Sequence, residues 1–455
     1  MNEDRSVPSL AFGTAGSPGA VRISLADSWR QTIAAPRIQK LIDLDGVFSF
    51  LLFGSALSIV RLGSYGALLF IVATLGYAAV RPSALMQGLR NGWLLLIFPA
   101  FALLSTIWSD SPSFTLKHGL EYFVTILAAL LLSSSRNPRS TFFGIFAAFA
   151  LFAVISVAVG TVVEVGDSGA MALSGLDESK NQEADAVAAG FLVTSLWFLI
   201  SWRTRTYAQC ALAAAAGFVQ GFATIAARSW GAAAGLAVAL GIFGLLIVLI
   251  NARRDLRAAV LGIGVTVALT VTFAALTMTD EVLGLLAGFS GKDVTLTGRT
   301  YLWDRARELV LEQPIAGRGF EAFWQRGNLD AEGIWKFAHI DSRMGFNFHN
   351  TAYDVLVSLG WIGLALFALT IAAGFAWAAM QYVRKPSLLG SFWISLGIYI
   401  VIRMPIETIG IYEFYFSTVM LFAIFASAAE GARVAPARRY AFTPNAPRQA
   451  ARSGP

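Results

Sequence analysis

Residues Gly231–Ile250 read GAAAGLAVALGIFGLLIVLI, and Asn251–Arg257 after them read NARRDLR. A run of about 20 uncharged residues is long enough, as a helix, to cross the roughly 30 Å apolar core of a bilayer. It is apolar at every position and lacks the two-residue alternation of a barrel strand, so it predicts a membrane helix. Arg253, Arg254 and Arg257 at its end mark one side of the membrane.

The same pattern recurs along the chain. Of its 455 residues, 56% are hydrophobic and 14% charged, well below the roughly 25% charged of a soluble domain. The spacing predicts an all-α polytopic membrane protein with twelve spans, near 46–60, 62–80, 92–108, 116–133, 141–162, 186–201, 208–226, 231–250, 258–278, 353–378, 388–406 and 412–429. The first is short, and Arg61 is the weakest break between spans. The organisation expected is a tail over 1–45, helices over 46–278, a large loop over 279–352, helices over 353–429 and a tail over 430–455. The first 45 residues contain no apolar core of a cleavable signal peptide.

Charge placement tests this count. Arg81, Arg90, Arg136, Arg139, Arg203, Arg205, Arg253, Arg254, Arg257, Arg384 and Lys385 all fall in loops on one side, with both basic tails. The short loops opposite carry single basic residues: Arg61, Lys117, Lys180, Arg228 and Arg403. The positive-inside rule then puts both termini in the cytoplasm and the large loop outside. The net charge of +6 is explained by these loops, and no nucleic-acid partner is expected. The C-terminal tail is rich in Pro, Ala and Arg, and is expected to be solvated.

One polar island, Met278 to Asp354, interrupts the apolar series. It holds His339 and His349, two of the three histidines, and eight of the 34 Lys+Arg. Arg299–Gln313 reads as an amphipathic helix with Leu302, Ala306, Leu309 and Val310 on one stripe. Thr297 is its candidate N-cap, which puts Arg299 at a helix start suited to an anion. The alternative for Arg299 is a structural ion pair with an acid such as Asp293. Gly317-Arg318-Gly319 makes a sharp turn after Pro314.

The step His349-Asn350-Thr351 leads into the tenth span. Asn350 or Thr351 is its cap, and His349 sits just outside. Histidine suits proton transfer near neutral pH, with Asp354 the candidate to orient it. The alternative is an ordinary interfacial histidine. His118 reads as interfacial packing, with Lys117 and Glu121 a possible pair one helical turn apart.

Ionisable residues avoid mid-depth and gather at the island side. A transporter or pump needs them near the midplane; an enzyme on lipid-linked substrates needs them at headgroup depth. Lys180, Arg318, Asn350, Asp354 and Arg403 are the candidate substrate-binding residues there. No His-x-x-x-His, cysteine cluster or phosphate-binding glycine loop occurs, so no metal or cofactor is expected.

Together the run Gly291–Thr300, Leu302-Trp303, Pro314, Gly317, Gly319-Phe320, Ala322-Phe323-Trp324, and His349-Asn350 leading to Leu359-Gly360-Trp361-Ile362-Gly363 resemble the O-antigen ligase and Wzy-type polymerase family of bacterial envelope glycosyltransferases. The ExoQ-like exopolysaccharide production proteins are the most similar branch. Ser179-Lys180-Asn181 is similar to a Lys-Asn step in that family, where histidine often precedes the lysine.

The resemblance implies a metal-independent transferase in the bacterial inner membrane. Its donor is an oligosaccharide on undecaprenyl diphosphate and its acceptor a glycan, with a flippase and chain-length regulators as expected partners. His349 is then the base, and Arg299 and Arg228 are diphosphate ligands. Arg228 lies in Ala227-Arg228-Ser229, where the family is usually richer in serine. Polymerase and ligase share these residues, and the ExoQ-like phrases favour polymerase.

Overall fold

The computed structural model describes residues 41–165, 169–177, 179–277, 298–341, 343 and 346–433. The chain runs through α1 (Leu44–Leu57), α2 (Ser64–Val80), α3 (Pro82–Gly92), α4 (Ile97–Leu104), α5 (Pro112–Ser133), α6 (Pro138–Val159), α7 (Lys180–Arg203), α8 (Tyr207–Ala226), α9 (Trp230–Leu249) and α10 (Arg254–Thr277). After the undescribed 278–297 come α11 (Arg299–Glu312), α12 (Leu329–Phe337), α13 (Thr351–Arg384), α14 (Leu388–Arg403) and α15 (Phe416–Arg433). One antiparallel hairpin, β1 (Thr161–Val165) and β2 (Ala170–Gly175), joins α6 to α7.

Each apolar segment read from the sequence overlaps a helix. Among the described residues, seven helices are long and apolar enough to cross a membrane: Pro82–Ile107, which joins α3 and α4 through a 3-10 turn, and α5, α6, α7, α8, α9 and α13. Four shorter apolar helices accompany them: Leu44–Leu57, Ser64–Val80, Leu388–Arg403 and Phe416–Ala429. At 14 residues α1 is only about 21 Å long, short of a 30 Å core. Four of the twelve expected spans thus fall on helices of fewer than 18 residues over their apolar part. The break at Arg61 is real, because Gly63 adopts φ +50 between α1 and α2. Arg61 itself ties the hairpin down, donating to the carbonyls of Leu176 at 3.0 Å and Gly175 at 3.1 Å.

α15 is the hub. Val419 to Ala426 are buried without a break, as expected of a helix enclosed on all sides. It packs against α5, α13 and α3. At the end of the bundle where α1 begins, buried Asp45 accepts from Tyr77 Oη at 2.9 Å and from the Arg136 and Asn137 amides at 2.8 and 2.7 Å.

The island has a small core of its own. Leu302, Ala306, Leu309 and Val310 of α11, with Trp303, pack on Phe323, Trp335 and Phe348 and on Leu356 and Val357 of α13. The stripe predicted for Arg299–Gln313 is thus its buried face. Each buried Leu, Val or Phe there stabilises by about 1.5–3 kcal/mol over exposure. Thr297 lies outside the described residues, and the residue before α11 is Gly298, at φ +85.

Pro314–Gly319 explains the glycines around it. α13 breaks at Gly360, with φ 61 and ψ −166, which frees backbone groups of the helix. The island segment takes them up: Trp361 N–H donates to Pro314 at 2.8 Å, Arg318 N–H to Val357 at 3.0 Å and Gly319 N–H to Ser358 at 2.8 Å. A Cβ on Gly317 would lie 2.5 Å from Leu359 N, and one on Gly360 2.4 Å from the Ile315 carbonyl carbon. Two phrases some forty residues apart are the two sides of one backbone crossing.

Candidate active site

Four segments converge on Glu407, in the turn between α14 and α15. Arg299, the first residue of α11, donates from Nη2 to Glu407 Oε1 at 2.7 Å. His349 Nδ1 lies 3.1 Å from Oε2. Asn181, in the first turn of α7, donates from Nδ2 to Oε1 at 2.8 Å. Beneath, Arg403 Nη2 stands 3.8 Å from Oε1.

Local structure holds each group. Asn350 caps α13, accepting from Ala352 and Tyr353 N–H at 2.9 and 3.3 Å, and donates from Nδ2 to the Pro405 carbonyl at 3.1 Å. His349 precedes that cap in the left-handed region, at φ 49, and its N–H donates to Asn347 Oδ1 at 2.8 Å. Thr351 Oγ1 donates to Glu407 O at 3.0 Å and accepts from Ile409 N–H at 2.9 Å. The histidine loop and the carboxylate turn are therefore stitched together through the first residue of α13.

The electrostatics follow. Burial alone would push the Glu407 carboxyl up. The His349 hydrogen bond, then Arg299, then Arg403 outweigh it, and the group is held down at about 2. An ionised carboxylate can only accept, so His349 donates from Nδ1, and in the neutral ring the lone pair is then on Nε2. The His349 side chain is 25% exposed, and Nε2 has no hydrogen-bond partner among the described residues. The ring is thus oriented through one nitrogen and open through the other, the arrangement a general base needs.

Lys180 and Arg228 sit beside this cluster. Lys180 adjoins Asn181 and donates from Nζ to the Arg228 carbonyl at 3.4 Å. Arg228 is exposed and takes φ 48 in the turn between α8 and α9. Buried Ala184, Ala227 and Ala232 pack the three helix ends together.

Three other sequence candidates are placed differently. Asp354 does not orient His349; it is buried and accepts from Phe348 N–H at 3.2 Å, from Thr408 Oγ1, and from Trp324 Nε1 at 3.4 Å. It fixes the backbone at Phe348, just before the histidine. Arg403 lies beneath the cluster, donating from Nε and Nη2 to Asp185 at 2.6 and 3.2 Å. Arg318 pairs with Asp110 at 3.0 Å and with Glu312.

Arg299 is paired, as its structural alternative required, but with Glu407; Asp293 is outside the described residues. The sequence reading gave no site role to Glu407, to Asn181 of the Lys180-Asn181 step, or to Asp185. The one available signal was an acid four residues beyond Arg403, at the end of an apolar span.

A second group lies further along the same rim. His118 Nδ1 is 2.7 Å from Glu413 and 3.5 Å from Glu121, so Glu121 meets His118 where the sequence suggested Lys117. These three offer ligand atoms within 4.8 Å of one another and could hold a metal ion. No sequence motif announces the trio, because Glu413 comes from a distant turn.

A rim of basic and carboxylate side chains surrounds an oriented histidine on an apolar helical bundle. Residues 212–368 match the family described as "O-Antigen ligase". That stretch contains Arg228, Arg299, Arg318, His349, Asn350 and Asp354, and ends inside α13 before Arg403 and Glu407. Among curated proteins, exopolysaccharide production protein ExoQ of Rhizobium meliloti (strain 1021) is 29% identical over 283 residues. The match covers 62% of this chain and 64% of that protein, less than two thirds of its length. The resemblance read from the island's phrases is borne out.

Proposed function

We propose that this protein polymerises oligosaccharide repeat units carried on undecaprenyl diphosphate into an exopolysaccharide, at the periplasmic face of the bacterial inner membrane. The observation that carries the reading is the Arg299–Glu407–His349 arrangement, with Nε2 of the histidine open. Its support from relatives is the likeness to an exopolysaccharide production protein.

Each residue has a role in this reading. Arg299 and Arg228, with Lys180, hold the diphosphate and supply the countercharge that a divalent metal supplies in other transferases. Glu407 holds Arg299 through one nitrogen, so its remaining N–H groups are directed at the phosphates. His349 Nε2 takes the proton from the acceptor hydroxyl. The hydroxyl oxygen bonds to the anomeric carbon as the bond to the diphosphate oxygen breaks. The lipid diphosphate leaves with the electron pair, and the anomeric configuration inverts. Asn350 and Asp354 keep the histidine in place. A flippase supplying the donor and a chain-length regulator are the expected partners.

Charge alternation along the loops supports a topology of twelve spans with cytoplasmic termini, in which the short helices α1, α2, α14 and α15 cross where the bilayer thins locally. A second reading, transfer of a finished glycan to a different acceptor, is favoured by the description of the matching family.

The test is the size distribution of surface and secreted polysaccharide from a deletion strain carrying wild type or His349→Ala. Loss of long polymer with single repeat units remaining supports the polymerase. Intact long polymer stranded on the lipid carrier supports the ligase. An unchanged distribution refutes both.

A further inference from the structure

A cavity of about 290 Å³ opens at the end of the bundle opposite Glu407. Helix polarity places it there. α13 starts at the histidine loop, and its Gln381 and Tyr382 reach the cavity 30 residues later, about 45 Å of helix. α14 ends at Arg403 and starts at the cavity with Leu389 and Trp393 on the wall. α5 ends there, α6 begins there, and Ser427 of α15 closes one side.

The wall has two chemistries. Phe142, Ile145, Leu389 and Trp393 make it apolar. Lys385 is its one charged residue, and no carboxylate lines it. Tyr382 Oη is already committed to the Leu246 carbonyl. By contrast, Ser135, Gln381, Lys385 and Ser427 make no side-chain hydrogen bond or ion pair among the described residues. Just beyond lining Pro138, Arg139 also has a buried Nε without a partner. Two helices end here and two begin, so their dipoles offset and the lysine decides the sign. A positive, donor-rich mouth beside an aromatic wall suits a molecule with an anionic head and an apolar tail. A free anion would leave the apolar wall uncovered.

We propose that this cavity binds the headgroup of an anionic phospholipid, its phosphate on Lys385, Gln381 and Ser135 and its glycerol end along Phe142 and Trp393. Basic pockets between membrane helices hold lipid headgroups in this way. The bound lipid clamps the far ends of α13 and α14, the helices that position the two halves of the site. The cavity stands apart from the glycan reading; only its assignment to the cytoplasmic leaflet rests on the proposed topology.

The experiment is a thermal melt of the full chain in neutral detergent, titrated with phosphatidylglycerol, phosphatidylcholine or inorganic phosphate. Phosphatidylglycerol should raise Tm by several degrees and saturate, while the other two leave it unchanged. Lys385→Glu and, separately, Gln381→Leu should melt as wild type without lipid and need at least tenfold more phosphatidylglycerol for the same shift. Equal shifts from both lipids would mean general solvation and overturn the proposal. A shift with phosphate alone would mean a free-anion site, with the same consequence. So would an undiminished response in both variants. If Lys385→Glu fails to fold, Gln381→Leu carries the test. Polymer size in cells is read separately, and a failed glycan reading leaves the lipid shift untouched.

Discussion

Two arginine–carboxylate pairs meet at Glu407 and are built differently. Arg403 is 1% exposed and places two nitrogens on Asp185, whose Oδ1 also accepts from Tyr399 Oη at 2.8 Å. Arg299 is 14% exposed and places one nitrogen on Glu407, which is 9% exposed and shared with His349 and Asn181. The first pair is closed to any incoming group. The second is anchored but, among the described residues, spends one nitrogen only. A guanidinium that is to meet a phosphate has to keep some of its N–H groups unspent, and burial together with hydrogen-bond count separates the two arginines where residue type does not.

The largest effect tests the closed pair. Arg403→Ala leaves Asp185 buried without its countercharge, a change that costs about 3–5 kcal/mol. We expect little folded protein by size-exclusion chromatography and a much lower melting temperature. An unshifted melt would show that Arg403 is not structural. His349→Ala should do the reverse: unchanged melting, with transfer reduced by the roughly 10²–10⁴-fold of a lost general base. A parallel loss of fold would move the histidine into the closed class.

Arg299→Lys is the next test. A lysine cannot hold Glu407 and also present a planar fork to a diphosphate. One lost charge-assisted hydrogen bond is worth about 1.5–3 kcal/mol, so transfer should fall about ten- to hundredfold without loss of stability. Wild-type transfer would make Arg299 a structural partner of Glu407 only.

The smallest effect is a pH dependence. The Glu407 carboxyl is held at about 2, below its ordinary 4.5. A depressed carboxyl contributes stability that is complete above its unfolded value and lost as pH falls through the folded one. The melting difference between wild type and Glu407→Gln should therefore be constant from neutral pH down to about 5. It should shrink only as pH drops towards 2. A difference that had already vanished at pH 5 would mean that Glu407 is not ionised in the folded protein.

Much of the scaffold was legible before the structure. Apolar runs fall on helices because a backbone in hydrocarbon must satisfy its own hydrogen bonds. α11 showed its buried stripe, and Asn350 its cap, because both signals are local. The site was legible in part: His349 and Arg299 stood out as rare polar groups in an apolar chain. Their common partner did not. Glu407 lies 58 residues from His349, 108 from Arg299 and 226 from Asn181, and no periodicity spans such distances. Asp354 shows the cost of local reasoning. One turn from the histidine loop, it was the natural partner, yet its side chain turns to Thr408 and the Phe348 amide.

The sequence by itself determined a helical membrane protein, the segments that form its helices, and the polar island where its chemistry is expected. Hydropathy and capping act over a few residues, and a linear reading captures them. Only the tertiary structure decided which carboxylate orients the histidine, which arginine is sealed, and that Gly317 and Gly360 belong to one backbone crossing. Ion pairing and close packing depend on distance in space, and distance in space is set by how the helices pack.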